Sequence, residues 1–178
     1  MPRYFFDTSA LVKDYHVESG TPQVQAILGQ AGSEFFISRL AAVEMLSGFA
    51  GKVRTGAFTS TDYGKLRRRF FADVRRKMVR PLRVLNAHYQ LAGDLIGKHA
   101  MSRQFRTLDA IQLAVALHFH RTFPLDHFCL CRPAALRRRP SRGPRCHPTV
   151  KRCPVPSNRA NDLRAFASFT RTGIGASH

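Results

Sequence analysis

The chain has 178 residues, enough for one domain with its own core and an appendage. Its formal net charge of +18 excludes an acidic or neutral surface and points to a polyanionic partner, most simply nucleic acid. No apolar run approaches the roughly 18 residues of a membrane span and no signal-peptide core follows the start, so no membrane partner and a cytoplasmic location are expected.

The first element is a short apolar strand, "RYFF" at 3–6, which ends on Asp7, Thr8 and Ser9, residues suited to turning the chain into a helix. "ESGTPQVQAILGQAG" then reads as a helix, with Thr21 as its cap, Pro22 at its first position and Gly29 or Gly32 near its end. "EFFIS", 34–38, is a second strand, and Ser38 can cap the apolar helix of "RLAAVEMLSGFAGKVRTG". From Ser60, a possible cap, an amphipathic helix carries Leu66, Phe70, Val74 and Met78 at a spacing of four, with Lys65, Arg67, Arg68, Arg69, Arg75, Arg76 and Lys77 on its other faces. "LRVLN" reads as a third strand. Two helices follow, through "AHYQLAGDLIGKHA" and "TLDAIQLAVALHFH", the second capped by Thr107, and "DHF" begins a fourth strand. The order β, α, β, αα, β, αα, β predicts an α/β fold whose parallel sheet has helices on both faces.

Composition changes after Phe128. Residues 1–128 hold 18 Lys and Arg against 10 acids, whereas residues 129–178 hold 11 against Asp162 alone, together with all four cysteines and six of the ten prolines. The expected organisation is a domain over 1–128, incomplete at its last strand, and a disordered Arg-, Pro- and Cys-rich tail over 129–178.

Three acids stand where a purely structural chain would rarely place them. Asp7 ends a buried-looking strand, Glu44 lies inside "LAAVEML", and Asp109 opens an apolar helix. A buried carboxylate is costly unless it is paired or holds a metal, and sites of open parallel sheets gather at the carboxyl ends of strands. If the three converge, a cluster of like charges needs a cation, and an all-oxygen set suits Mg²⁺ or Mn²⁺ better than zinc. The matching chemistry is phosphodiester hydrolysis. The structural alternatives are that Asp7 caps the next helix, that Asp109 favours a helix dipole, and that Glu44 pairs with an arginine of the basic helix. Asp14, Glu18, Asp94 and the eight histidines are expected in solvated or packing roles.

"YFFDTSALVKDY", "ISRLAAVEMLSGFAGKVRTG" and "RTLDAIQLAVAL", in that order, resemble the PIN-domain family, and within it the VapC-type toxins of toxin-antitoxin pairs. The resemblance runs to about Phe128. It implies a PIN-like α/β/α sandwich with a mostly parallel central sheet, here followed by an irregular basic tail. It also implies a Mg²⁺- or Mn²⁺-dependent endoribonuclease restrained by a VapB-type antitoxin, with a homodimer as the family's habit. On the family's pattern Asp7, Glu44 and Asp109 are catalytic and metal-ligating, and Ser9 supports the site. Arg67, Arg68, Arg103 and Arg106 are expected to guide RNA. The alternative is a catalytically impaired remnant that binds antitoxin or RNA without turnover.

Where the family brings a fourth acid in a pattern resembling "FVxAD", this sequence reads "FCLCRP". Three readings of that segment stand open. A zinc clasp would use Cys129, Cys131, Cys146, His147 and Cys153, although the spacing of the first pair is tighter than C-x2-C. A basic arm would use Arg137, Arg138, Arg139, Arg142, Arg145, Lys151 and Arg152 against phosphates. The third is a shifted reading frame: removing one base after the Phe128 codon, from one set of codons that encodes "FCLCRPAA", yields "FVCADRR". On this reading Arg132 stands in the fourth acid's place, and one edge of the sheet is left uncovered.

Overall fold

The computed structural model describes residues 1–102, 104–131 and 148–152. In chain order the elements are β1 (Arg3–Phe6), α1 (Thr8–Tyr15), α2 (Thr21–Leu28), β2 (Glu34–Ser38), α3 (Arg39–Arg54), α4 (Ser60–Arg75), β3 (Arg80–Leu82), α5 (Asn86–His99), α6 (Thr107–Thr122), β4 (His127–Cys131) and β5 (Pro148–Arg152). The sheet order is β3-β2-β1-β4-β5, with the first four strands parallel and β5 antiparallel to β4.

Alternation along the strands sorts the core into two layers. Tyr4, Phe6, Phe35, Ile37 and Cys129 pack on one face with residues of α1 to α4, among them Leu11, Met45, Phe49 and Phe70. Phe5, Phe36 and Phe128 face the other way, toward Leu95, Ile111, Val115 and their neighbours on α5 and α6. The rings of Phe5 and Phe128 stack 5.4 Å apart across β1 and β4. These two layers around a parallel sheet are the α/β/α sandwich that the sequence predicts.

Local boundaries differ from expectation, each for a physical reason. The first crossover holds two helices rather than one, because Asp7 accepts the Ser9 N–H and starts α1 at once. Thr21 is not the cap of α2. Gly20 takes that place with φ 94°, while the buried Thr21 hydroxyl donates to the Lys13 carbonyl (3.0 Å) and accepts the Glu18 N–H (2.9 Å). Thr59, not Ser60, caps α4, since it lies three residues before Asp62. Its hydroxyl accepts the Asp62 N–H at 3.1 Å and its own N–H donates to Asp62 Oδ2 at 3.0 Å. Met78 lies beyond the end of α4 and is 53% exposed, so the apolar stripe stops at Val74.

The third strand falls on Arg80–Leu82 rather than on "LRVLN", and Pro81, which has no N–H, is tolerated because β3 is an edge strand. Arg106 rather than Thr107 precedes the first turn of α6. The compositional boundary after Phe128 falls inside β4, whose Cys129 is in register with Phe6 of β1. The far edge of β4 carries β5, with Cys129 opposite Val150, so the edge expected to lie open has a partner. Cys129 is buried in the core, and burial pushes its thiol up to about 12. Cys146, His147, Cys153 and the arginines of the basic arm at 137–145 lie outside the described residues.

Asp14 and Glu18 fasten neighbouring elements. Asp14 accepts from Arg69 of α4 at 2.7 Å, and Glu18 accepts from Lys52 of α3 and from the buried Lys13 of α1.

Candidate active site at the carboxyl edge of the sheet

Asp7 follows the last residue of β1, and its N–H continues the ladder to the Cys129 carbonyl at 2.9 Å. Ser38 ends β2 two residues past the Phe5–Phe36 pair and so stands level with Asp7. The carboxyl edge of the two central strands is therefore where α1 and α3 begin. Glu44 lies on the second turn of α3, and Asp109 in the first turn of α6.

The Asp7 carboxylate is held through one oxygen. Oδ2 accepts the Ser9 hydroxyl and the Ser9 N–H, the latter at 3.2 Å, so Asp7 is a helix cap as well as a candidate ligand. Burial pushes its carboxyl above the usual aspartate range; the two Ser9 bonds oppose that, and the negative charges of Asp109 and Glu44 add to it. The Asp7 carboxyl is thus within electrostatic reach of both other acids. Among the described residues, however, no three His, Cys, Asp or Glu side chains stand together as a ready ion-holding group, and Asp109 is exposed.

Glu44 does not pair with an arginine of the basic helix. Its Oε2 accepts the Thr8 hydroxyl at 2.7 Å and the Gln112 amide N–H. Gln112 also donates to Thr8 Oγ1 at 2.8 Å and accepts the Ser38 hydroxyl at 2.9 Å. Neutral donors suffice because Glu44 is half-buried rather than fully enclosed. Asp109 lies three residues before Gln112, one turn nearer the start of α6 on the same side, which brings it toward Glu44. Thr8, Ser38 and Gln112 were not among the sequence-derived site residues. The signal for Gln112 was present: an amide within "LDAIQLAVAL" at i+3 from an acid.

Of the expected RNA-guiding residues, Arg67 and Arg68 are exposed on α4, Arg67 lying 5.7 Å over the Phe71 ring. Arg106 is exposed at the start of α6, and Arg103 lies outside the described residues. Asp126 is excluded as a fourth acid. It sits at the opposite edge of the sheet, where its Oδ2 accepts the Arg3 N–H at 2.8 Å and its own N–H donates to the Arg3 carbonyl. Arg132, which the shifted-frame reading sets in the fourth acid's place, lies outside the described residues.

The family model for the PIN domain matches residues 4–122. The chain belongs to the PIN-domain family. The fold of this PIN domain is similar to a solved structure of Mycobacterium tuberculosis VapC20, described as a sarcin-ricin loop cleaving toxin. The identity is 16%, the TM-score 0.52, and the match covers 70% of this chain and 86% of that one. No curated protein matches by sequence.

The oxygen donor set fits a hard divalent cation. Asp7 and Glu44 each have one oxygen engaged by donors within the chain, and among the described residues no hydrogen bond is made to the other oxygen of either. Mg²⁺ keeps much of its shell as water and is commonly bound through one or two carboxylates, so a full protein cage is not required.

Proposed function

We propose that this PIN domain is a Mg²⁺- or Mn²⁺-dependent endoribonuclease of the VapC type, the toxin of a toxin-antitoxin pair acting in the cytoplasm. The observation that supports the reading is that Asp7 follows β1 at the carboxyl edge of a parallel sheet, with the charges of Glu44 on α3 and Asp109 on α6 raising its carboxyl. Asp7, Glu44 and Asp109 would hold the ion, whose role when bound is to activate water and neutralise charge on the phosphate. Ser9 orients Asp7 through its two bonds to Oδ2. Exposed Arg67, Arg68 and Arg106, with Arg103, guide the RNA backbone by charge. A VapB-type antitoxin is the expected partner, and a homodimer the expected assembly.

The test is cleavage of a labelled RNA by the purified chain. Cleavage is expected with Mg²⁺, and Asp7→Ala is expected to lower it at least a hundredfold, as loss of a group that anchors transition-state charge does. Equal cleavage by Asp7→Ala, or full activity in excess EDTA, overturns the mechanism.

A second reading is favoured by one observation: among the described residues the three acids do not form a ready ion-holding group. It is a remnant that binds antitoxin or RNA without turnover. Deleting one base after the Phe128 codon is expected to restore a fourth acid and to raise cleavage over that of the present chain. If the restored protein cleaves no better, the shifted-frame account of 129–178 fails.

A further inference from the structure

Gln112 is a large polar side chain with only 1% of its surface exposed, and its hydrogen bonds form one directed chain. The chain starts at the cap of α3, where Ser38 Oγ accepts the Ala41 N–H at 3.1 Å. The hydroxyl's one proton then goes to Gln112 Oε1 at 2.9 Å. That bond orients the amide, so Nε2 faces the site. Its two protons go to Thr8 Oγ1, at 2.8 Å, and to Glu44 Oε2. Thr8 accepts from Gln112 and passes its own proton to the same Glu44 oxygen at 2.7 Å. Every donor in the network is used, and the chain ends on a single carboxylate oxygen.

We propose that Gln112, acting with Thr8, is a positioning residue that makes Glu44 a one-oxygen ligand and thereby sets which divalent ion this PIN domain accepts. The proposal rests on the reading of Glu44 as a metal ligand. Two donors on Oε2 leave Oε1 as the oxygen open to a cation. One-oxygen carboxylate ligation matches the small octahedral shell of Mg²⁺ and Mn²⁺, whereas Ca²⁺, with six to eight oxygens, readily takes both oxygens of a carboxylate. Gln112 thus discriminates against Ca²⁺ by occupying the second oxygen. The nearly isosteric Gln112→Met removes this amide without emptying the space, and Thr8→Val removes the other donor to the same oxygen.

The measurement is direct ion binding, with no RNA present: Mn²⁺ bound to the full chain by water-proton relaxation, with Ca²⁺ as competitor. Outer partners of metal ligands typically contribute 10- to 100-fold in affinity. Gln112→Met is expected to weaken Mn²⁺ about tenfold while weakening Ca²⁺ less or strengthening it, so the Mn²⁺/Ca²⁺ ratio falls. Thr8→Val should move the ratio the same way, and it carries the test if Gln112→Met does not fold. An unchanged ratio in the folded variants, or an equal loss for both ions, overturns the proposal while leaving Glu44 as a ligand. If the unmodified chain binds no Mn²⁺ that Glu44→Gln abolishes, the metal reading of the acids falls, and the role of Gln112 with it.

Discussion

At the scale of single residues, a side chain draws attention in sequence when burying it carries a cost. Asp7, Glu44 and Asp109 stand out in sequence because a carboxylate in apolar surroundings carries a desolvation cost that something must offset. Thr8, Ser38 and Gln112 carry no such cost once hydrogen-bonded, so only tertiary structure shows what they hold. His88 is another such case. It is buried on α5, its Nδ1 accepts the Leu85 N–H at 2.9 Å, and its ring meets that of exposed His118 edge-on at 4.7 Å. The proton of the neutral ring is therefore on Nε2, which is buried with no partner among the described residues. Burial, with a smaller effect from His118, holds its pKa below that of an ordinary histidine. An unfolded histidine titrates near 6.5. Above that pH His88 is neutral in both states and the folded state loses nothing. As pH falls below about 6.5 the unfolded chain takes the proton first, and stability declines until the folded-state value is passed. His88→Gln keeps a side chain that can accept the same N–H and does not titrate. Thermal melts between pH 7.5 and 5.5 should show a smaller loss of stability on acidification for His88→Gln than for the unmodified chain. His16, also lowered by burial and by Lys52, titrates in both proteins and leaves the difference to His88. Parallel pH curves would refute the assignment.

Elements were legible where a single pattern dominated. The β1 and β2 strands follow from short apolar runs, the amphipathic α4 from a spacing of four, and α6 from its apolar length. Ends of elements were less legible, because several capping residues compete and the winner depends on what else each can bond. Thr59, Ser60 and Thr61 all offer hydroxyls around the start of α4, but only Thr59 stands at the distance that lets Asp62 answer it. The negative charge of Asp62 is favoured at that helix end, and its carboxyl is held below the usual range chiefly by the Thr59 bonds. Thr59→Ala should therefore destabilise the domain by about 1 kcal/mol, whereas Ser60→Ala should leave it within about 0.5 kcal/mol. Urea titration of the two variants distinguishes them, and equal midpoints would show that the box contributes nothing. Gly20 illustrates the same limit. Nothing in "ESGTP" says that the glycine rather than the threonine takes the cap position, since that depends on the buried bonds of Thr21 to Lys13 and Glu18.

At the scale of the whole molecule, charge is the property that sequence states most plainly and that the fold distributes. Asp14 and Asp73 lie close to Arg69, and Glu34 bonds both Arg3 and Arg80, so those cations already have acids beside them. Arg67, Arg68, Arg75, Arg76 and Lys77 form no ion pair among the described residues and are exposed along α4 and just beyond it. A row of uncompensated cations on one helix is a surface on which a polyanion releases its counterions. For single-stranded nucleic acid, the slope of log affinity against log salt is about −0.7 for each phosphate neutralised. If Arg67 and Arg68 each neutralise one phosphate of bound RNA, changing both to Gln should flatten the slope by about 1.4, weakening binding most at low salt. The loss should be nearly the same for RNAs of different sequence, because phosphate contacts position the strand without reading its bases. The decisive comparison pairs this variant with Arg69→Gln. Arg69 is already engaged by Asp14 and lies 4.6 Å over the Tyr15 ring, so its removal should lower thermal stability and leave the salt slope unchanged. A slope altered equally by both variants would mean that general positive charge, and not the outward face of α4, meets the RNA.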